Sequence, residues 1–290
     1  MSIIVDRLAM IKPITIRGHS FDWGSRTYLM GILNVTPDSF SDGGVFNSLD
    51  AALVRAGDMV RAGADIIDVG GVSTRPGAEV VSLERELERV LPVVSGLRQL
   101  GDMVISVDTT RAAVAEAAVG CGADIINDIS GGIYDPDMLS VVADLGVPVV
   151  LMHLRGTPQT MQTLTDYGDL MGEIKGFLAE RLAAGMAAGI PAEYMIVDPG
   201  IGFAKTLEQN LQILRELPLL KDLDCPLLVG PSRKSFIGKI LEKPDPQGRV
   251  WGTAAACVAA IAHSADILRI HDVPPMVDVA RVADAIYRQA

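Results

Sequence analysis

Asp68, Asp108, Asn127 and Asp198 each close an apolar run, in ADIIDVGG, VISVDTT, ADIINDISGG and YMIVDPGIG. A carboxylate only accepts hydrogen bonds, whereas an amide accepts and donates. Four such groups brought into one plane could grip a heterocycle with a guanidine-like edge better than a sugar or a peptide. A second set is basic: Lys205 in GIGFAKT, Arg233 and Lys234 in GPSRKS, and Arg269 with His271 in LRIHD. Against a net charge of −11, this local positive group suits an anion. Taken singly, a strand-end Asp could equally cap the next helix, and His271 could be a structural histidine. The functional reading needs all of them to converge.

Two polar, glycine-punctuated stretches form a third element, 34–44 (NVTPDSFSDGG) and 70–77 (GGVSTRPG). Phe40 is an apolar side chain in the first, and Arg75 a charge fixed before Pro76 in the second. Both exceed the usual length of βα loops, and lids that exclude water use such residues. Other chemistries lack their motifs. GIGFAKT has Ala204 where a P-loop needs glycine, and no GxGxxG opens a helix after a strand. There is no HExxH, no Gly-x-Ser-x-Gly and no Cys-His pair for nucleophilic catalysis. A reaction in which the protein positions two substrates fits these absences.

The elements that must position these residues repeat down the chain. Eight apolar runs each end in a polar group: Asn34, Asp68, Asp108, Asn127, His153, Asp198, Ser232, and Arg269 with His271. Continuous Val/Ile/Leu runs are those of strands covered on both faces, and helical periodicity lies between them. Helices are predicted over 48–62, 81–100, 110–120, 135–145, 170–188, 207–217, 252–262 and 276–288. Asp50 and Asp135 stand near helix starts, and Gly101, Gly122, Gly146 and Gly189 follow helix ends. Eight βα units in about 250 residues make a (β/α)8 TIM barrel, an α/β fold whose chemistry sits at the strands' C-terminal mouth. Residues 11–24 predict a short hairpin across the barrel floor. One domain over 1–290 is expected, with an N-terminal extension to about 26.

Composition narrows the classes further. A hydrophobic share of 49% supplies one large core, and the negative balance argues against nucleic-acid or acidic-membrane partners. Cys121, Cys225 and Cys257 have no metal-ligand spacing, so buried free thiols in a reducing compartment are expected. No apolar run of 18 residues occurs, and the first residues lack a signal-type apolar core. A cytoplasmic location is the expectation.

In order, LNVTPDSFSDGG, DVGGVSTRPGA, VDT, NDISGG, LMHLRGTP, DPGIGFAKT, GPSRKSFIG and LRIHDV resemble the dihydropteroate synthases, from about Met30 to Val273. The resemblance implies joining of 6-hydroxymethyl-7,8-dihydropterin diphosphate to para-aminobenzoate with release of pyrophosphate. It implies that Asp108, Asn127, Asp198 and Lys234 hydrogen-bond the pterin, with Met152, Phe203 and Arg269 against its faces. Asn34 would ligate Mg2+ beside the diphosphate, whose oxygens Arg269 and His271 hold. Thr74, Arg75, Pro76, Phe40 and Ser235 would shape the aminobenzoate site; Asp68 also matches the family pattern. The same resemblance suggests a homodimer through the Ala-rich segment 252–262 and the last helix.

Three positions depart from the pattern: Val72 where Glu is expected, Ala204 where Gly is usual, and Leu154 where Met is common. Val72 motivates one competing reading, a catalytically silent pterin binder. Methyl transfer from a methyltetrahydrofolate to a corrinoid protein on a similar barrel is another. It would need neither the Phe40 and Arg75 loops nor the basic cluster.

Overall fold

The structure, a computed structural model, describes residues 11–35, 45–73 and 81–288. The chain opens with strands β1 (Ile14–Ile16) and β2 (His19–Phe21), paired antiparallel. Arg17 and Gly18 between them have φ of 47° and 78°, the double left-handed turn whose twist suits a two-residue hairpin.

Eight strands follow: β3 (Tyr28–Asn34), β4 (Ile66–Gly70), β5 (Val104–Asp108), β6 (Ile125–Asp128), β7 (Val149–Met152), β8 (Met195–Asp198), β9 (Leu228–Val229) and β10 (Ile267–Ile270). They pair in parallel in the order β8-β7-β6-β5-β4-β3-β10-β9. A parallel bridge from Val197 to Leu227 joins the two outer members, so the sheet closes as a barrel, as the eight runs predict.

Period-two alternation along each strand explains where the polar groups go. Met30, Ile66, Val104, Ile125, Val150, Ile196, Leu228 and Ile267 form one buried cluster with Ile14, Ile16, Phe21 and Trp23 of the hairpin. The hairpin is therefore the floor of the barrel. Two residues further along, the same inward faces carry Asp68, Ser106, Asn127, Met152, Asp198 and Arg269. The interior changes from apolar to polar within one step of the pleat. Residues of opposite parity, such as Ile67, Val69, Ile105, Val107, Leu151 and Val197, pack in the outer cluster with the helices.

The helices are α1 (Val45–Ala62), α2 (Leu83–Leu100), α3 (Ala112–Gly120), α4 (Met138–Leu145), α5 (Leu170–Ala188), α6 (Leu207–Glu216), α7 (Ser235–Leu241), α8 (Val250–Ala262) and α9 (Val273–Tyr287). Gly146 and Gly189 end α4 and α5 with left-handed φ of 65° and 101°, as expected of glycine there. Several starts differ from the periodicity. α9 begins three residues early because Pro274 and Pro275 occupy its first turn, where the missing N–H costs nothing. Asp135 does not start α4: its Oδ2 accepts the Ala112 N–H at 2.8 Å and so caps α3. The short α7 carries too little periodicity to be predicted.

Candidate functional site

The C-terminal mouth is built around Asp68, which is fully buried. Its Oδ1 accepts the Ser106 hydroxyl at 2.6 Å, because Ser106 is its register partner on β5. Its Oδ2 accepts Arg269 Nε at 2.6 Å and Asn127 Nδ2 at 3.2 Å. Both oxygens are thus engaged by protein donors. With Nδ2 of Asn127 directed at Asp68, the amide oxygen is the Asn127 atom left to face a ligand. Asp108 accepts the other arm of Arg269, NH2 to Oδ2 at 2.7 Å. The guanidinium therefore bridges two inward carboxylates, a buried pairing held in place by its hydrogen bonds.

Asp198 lies across the cup. Its Oδ1 accepts the Gly200 N–H at 2.7 Å, which fixes the turn after β8. That turn returns Phe203 to the mouth, with Lys234 Nζ 4.1 Å from the centre of its ring. Phe203 belongs to a small apolar cluster with Ile129, Met152, Leu154, Met161 and Ala204. The mouth is therefore a polar cup with one greasy wall, a shape suited to a flat ring with a polar edge.

Burial and charge move the protons here. Burial pushes the Asp108 carboxyl up to about 7; Arg269 opposes this, and Asp68, Glu86 and Asp128 add like charge. Asp198 is raised to about 6 by burial, against the Gly200 N–H and the charges of Lys234, Lys205 and Arg269. Lys234 is lowered to about 8 by burial and by Arg269, with Asp198 and Asp108 pulling the other way. Perturbed groups concentrated in one hollow are characteristic of functional sites.

The basic set divides. Arg233 is spent on Asp272 through Nε–Oδ2 at 2.9 Å and NH2–Oδ1 at 2.5 Å. Lys205 is engaged by His153 Nδ1 and the Phe203 carbonyl. Lys234, Arg269 and His271 stay at the mouth. Ser232 orients His271 by accepting its backbone N–H at 3.1 Å and lying 2.9 Å from its Nδ1. Ser235 is exposed as the first residue of α7. Asn34 ends β3, and its Oδ1 lies 3.6 Å from where a Cβ on Gly70 would stand, with Asp108 Oδ2 at 3.8 Å from the same point. Phe40, Thr74, Arg75 and Pro76 lie outside the described residues.

Residue-by-residue reading missed Ser106, although its inward parity in VISVD, between Val104 and Asp108, was available. It also missed the apolar wall of Ile129, Leu154 and Met161, which no local pattern marks. Of the three departures, Leu154 lies buried in that wall, where Leu for Met nearly conserves volume. Ala204 sits at φ 51°, the left-handed region that explains why glycine is usual there. Nothing in the structure explains Val72.

The model of the pterin binding enzyme family matches residues 30–271. The dihydropteroate synthase of Synechocystis sp. is 59% identical over 276 residues, covering 95% of this chain and 96% of that protein. A crystal structure of the Clostridium difficile dihydropteroate synthase, obtained in the presence of pteroic acid, superposes with a TM-score of 0.88 at 48% identity; it covers 93% of this chain and 100% of the other. The Xanthomonas albilineans dihydropteroate synthase with 4-aminobenzoic acid has a TM-score of 0.88 at 41% identity, covering 96% and 99%. With its barrel closed, its polar cup formed and nearly its full length matched, the chain belongs to the dihydropteroate synthases, transferases of the pterin binding enzyme family.

Proposed function

We propose that the cup binds 6-hydroxymethyl-7,8-dihydropterin diphosphate edge-on and that para-aminobenzoate enters above it, giving 7,8-dihydropteroate and pyrophosphate. The observation that carries this reading is the convergence of Asp108, Asn127 and Asp198 in one hollow beside Lys234 and Arg269. Two carboxylates and an outward amide oxygen accept N–H groups from the pterin's amino-pyrimidine edge, and Lys234 donates to its carbonyl or ring nitrogen. Met152 and Phe203 cover one face, and Arg269 borders the ring. Asp68 positions Asn127 and Arg269 and does not itself reach the ligand.

The bond broken is that between the pterin methylene and the diphosphate oxygen. Its electrons leave with pyrophosphate, the amine nitrogen forms the new C–N bond, and that nitrogen then loses a proton to water or to the departing pyrophosphate. Positive charge developing on the methylene spreads into the ring, where Asp108 and Asp198 stabilise it, while Arg269 and His271 hold the leaving oxygens. An aromatic amine is already neutral at pH 7, so no strong protein base is required.

Among the described residues no group of three or more carboxylates, histidines or cysteines could cage a metal ion. The mouth offers single oxygens such as Asn34 Oδ1, a sparse donor set that fits Mg2+, which keeps waters and substrate phosphate oxygens as most of its ligands. When bound beside Asn34, Mg2+ would neutralise charge on the departing diphosphate. Phe40, Thr74, Arg75, Pro76 and Ser235 are assigned to the aminobenzoate site on motif likeness.

A homodimer through the α8–α9 end completes the reading. Trp251, Val282 and Ile286 are exposed there, and an apolar groove of about 320 Å³ lined by Leu211, Phe236, Ile240, Ala255 and Ala259 lies alongside. Light scattering on Trp251→Glu tests this, and an unchanged mass distribution rejects that face. The reaction is tested by supplying the pterin diphosphate, para-aminobenzoate and Mg2+ to purified protein. Equal release of pyrophosphate and dihydropteroate is expected. Failure to release either product would overturn the assignment, and pyrophosphate alone would mean a second-substrate site that fails.

A further inference from the structure

Lys205 is almost completely buried, and the hydrogen bonds it makes go to the protein itself. Its ammonium donates to His153 Nδ1 at 3.0 Å and to the Phe203 carbonyl at 2.9 Å. It also packs against the turn after β8, since a Cβ on Gly200 would lie 3.3 Å from its Nζ. Gly200 is the residue whose N–H fixes Asp198. One cation thus lies against Gly200 and bonds Phe203, two residues of the segment that runs from Asp198 to Phe203.

His153 is built as an acceptor for it. An ammonium has no lone pair, so Nδ1 must accept and the ring proton resides on Nε2. The imidazole is walled by Phe177, edge-on at 5.1 Å, and by Tyr167 at 6.1 Å. Burial and the charges of Lys205 and Arg155 push His153 down to about 2, so it stays neutral at working pH. A neutral acceptor leaves the positive charge of Lys205 uncancelled, and Asp198 is the carboxylate that opposes its desolvation.

We propose that Lys205, with His153 as its acceptor, is a positioning residue: its buried ammonium holds Asp198 as a carboxylate and ties the β8–α6 turn so that Phe203 faces Lys234. This deepens the reading that Asp198 binds the pterin, and rests on it. The charged groups facing the site are Asp198, Lys234, Arg155 and Arg269, with His153 neutral. Burial lowers Lys205 itself to about 7, so it is protonated over the acid range in which Asp198, at about 6, titrates.

The experiment measures pteroic acid affinity against pH by calorimetry for wild type, Lys205→Met, Lys205→Gln and Lys205→Arg, with folding followed by circular dichroism. Lys205→Gln keeps a donor for the Phe203 carbonyl but removes the charge. The acid limb has an upper step from Asp108 near pH 7 and a lower step from Asp198 near 6; the lower step should rise by about one unit in Met and Gln, roughly tenfold weaker binding at acid pH, and stay near wild type in Arg. Unmoved acid limbs in folded Met and Gln variants would overturn the proposal. If neither folds, carbon-13 labelling of the lysine ε position in wild type decides it: a protonated Lys205 at pH 6 supports the assignment and a neutral one overturns it. Asp198→Asn is run in parallel. Unchanged affinity there would overturn the Asp198 reading itself, which separates that failure from a failure of the Lys205 assignment alone.

Discussion

Replacing Asp68 separates support of the site from contact with the ligand. Asp68→Ala removes three acceptor contacts at once, to Ser106, Asn127 and Arg269. Arg269 Nε and Asn127 Nδ2 are then left buried with no acceptor in place of Asp68, and stripping a buried charged donor of its partner costs about 3–5 kcal/mol. That is a large fraction of the roughly 5–15 kcal/mol that holds a typical domain together. Asp68→Asn behaves differently. The Ser106 hydroxyl can rotate to accept from the new amide, leaving the amide oxygen for Arg269 and Asn127. Only charge assistance is lost, about 1–2 kcal/mol. Asn127 keeps its orientation in Asp68→Asn and loses its anchor in Asp68→Ala. Urea unfolding should therefore rank wild type, Asn, Ala, and pteroic acid affinity should stay within about threefold in Asn but fall more than tenfold in Ala, since each 1.4 kcal/mol is tenfold. An Ala variant that loses less than about 1 kcal/mol, or an Asn variant as damaged as Ala, would refute the network as described.

Pterin affinity should be bell-shaped in pH. Ligand N–H groups favour the Asp108 and Asp198 carboxylates, so affinity starts to fall as pH drops through about 7, where Asp108 takes up a proton, and falls further through about 6, where Asp198 does. A Lys234 ammonium donating to the ligand gives the opposite limb, full below about 8 and falling above it; a flat calorimetric profile from pH 5 to 9 would reject both roles. At Ala204, relief of left-handed strain of about 1–2 kcal/mol offsets the lost methyl burial and glycine's backbone entropy. Ala204→Gly should be near neutral in urea unfolding, whereas Ala118→Gly, equally buried but helical, should cost about 2 kcal/mol; equal costs would contradict the strain. Phe40→Ala should weaken the aminobenzoate step while leaving pterin diphosphate binding nearly intact, and steady-state kinetics showing equal loss of both would remove Phe40 from that site.

How much was legible in the sequence follows from where the barrel's two faces differ. Ile66 and Asp68 share the inward face of one strand, so a run that is apolar to its last residues and then polar announces both the strand and the mouth. The same holds for Ile125 with Asn127 and Ile196 with Asp198. What the runs could not show is pairing between distant residues. Arg233 reads as part of an anion site, yet Asp272, 39 residues away, neutralises it. Asp135 reads as the start of its own helix, yet it caps α3. Asp68 reads as one more member of the ring, and only the bonds from Ser106, Asn127 and Arg269 reveal a support. The seven residues of α7 offer less than two turns of pattern and follow a two-residue strand, so propensity alone could not separate them from a loop.

The most direct test of the central claim is calorimetry of Asp108→Asn with pteroic acid at pH 7.5, a change that keeps the side chain's size. One charge-assisted hydrogen bond is worth about 1.5–3 kcal/mol, so binding should weaken by about 10- to 150-fold in a folded protein. Affinity equal to wild type would mean that the inward carboxylates do not grip the ligand, and would contradict the account.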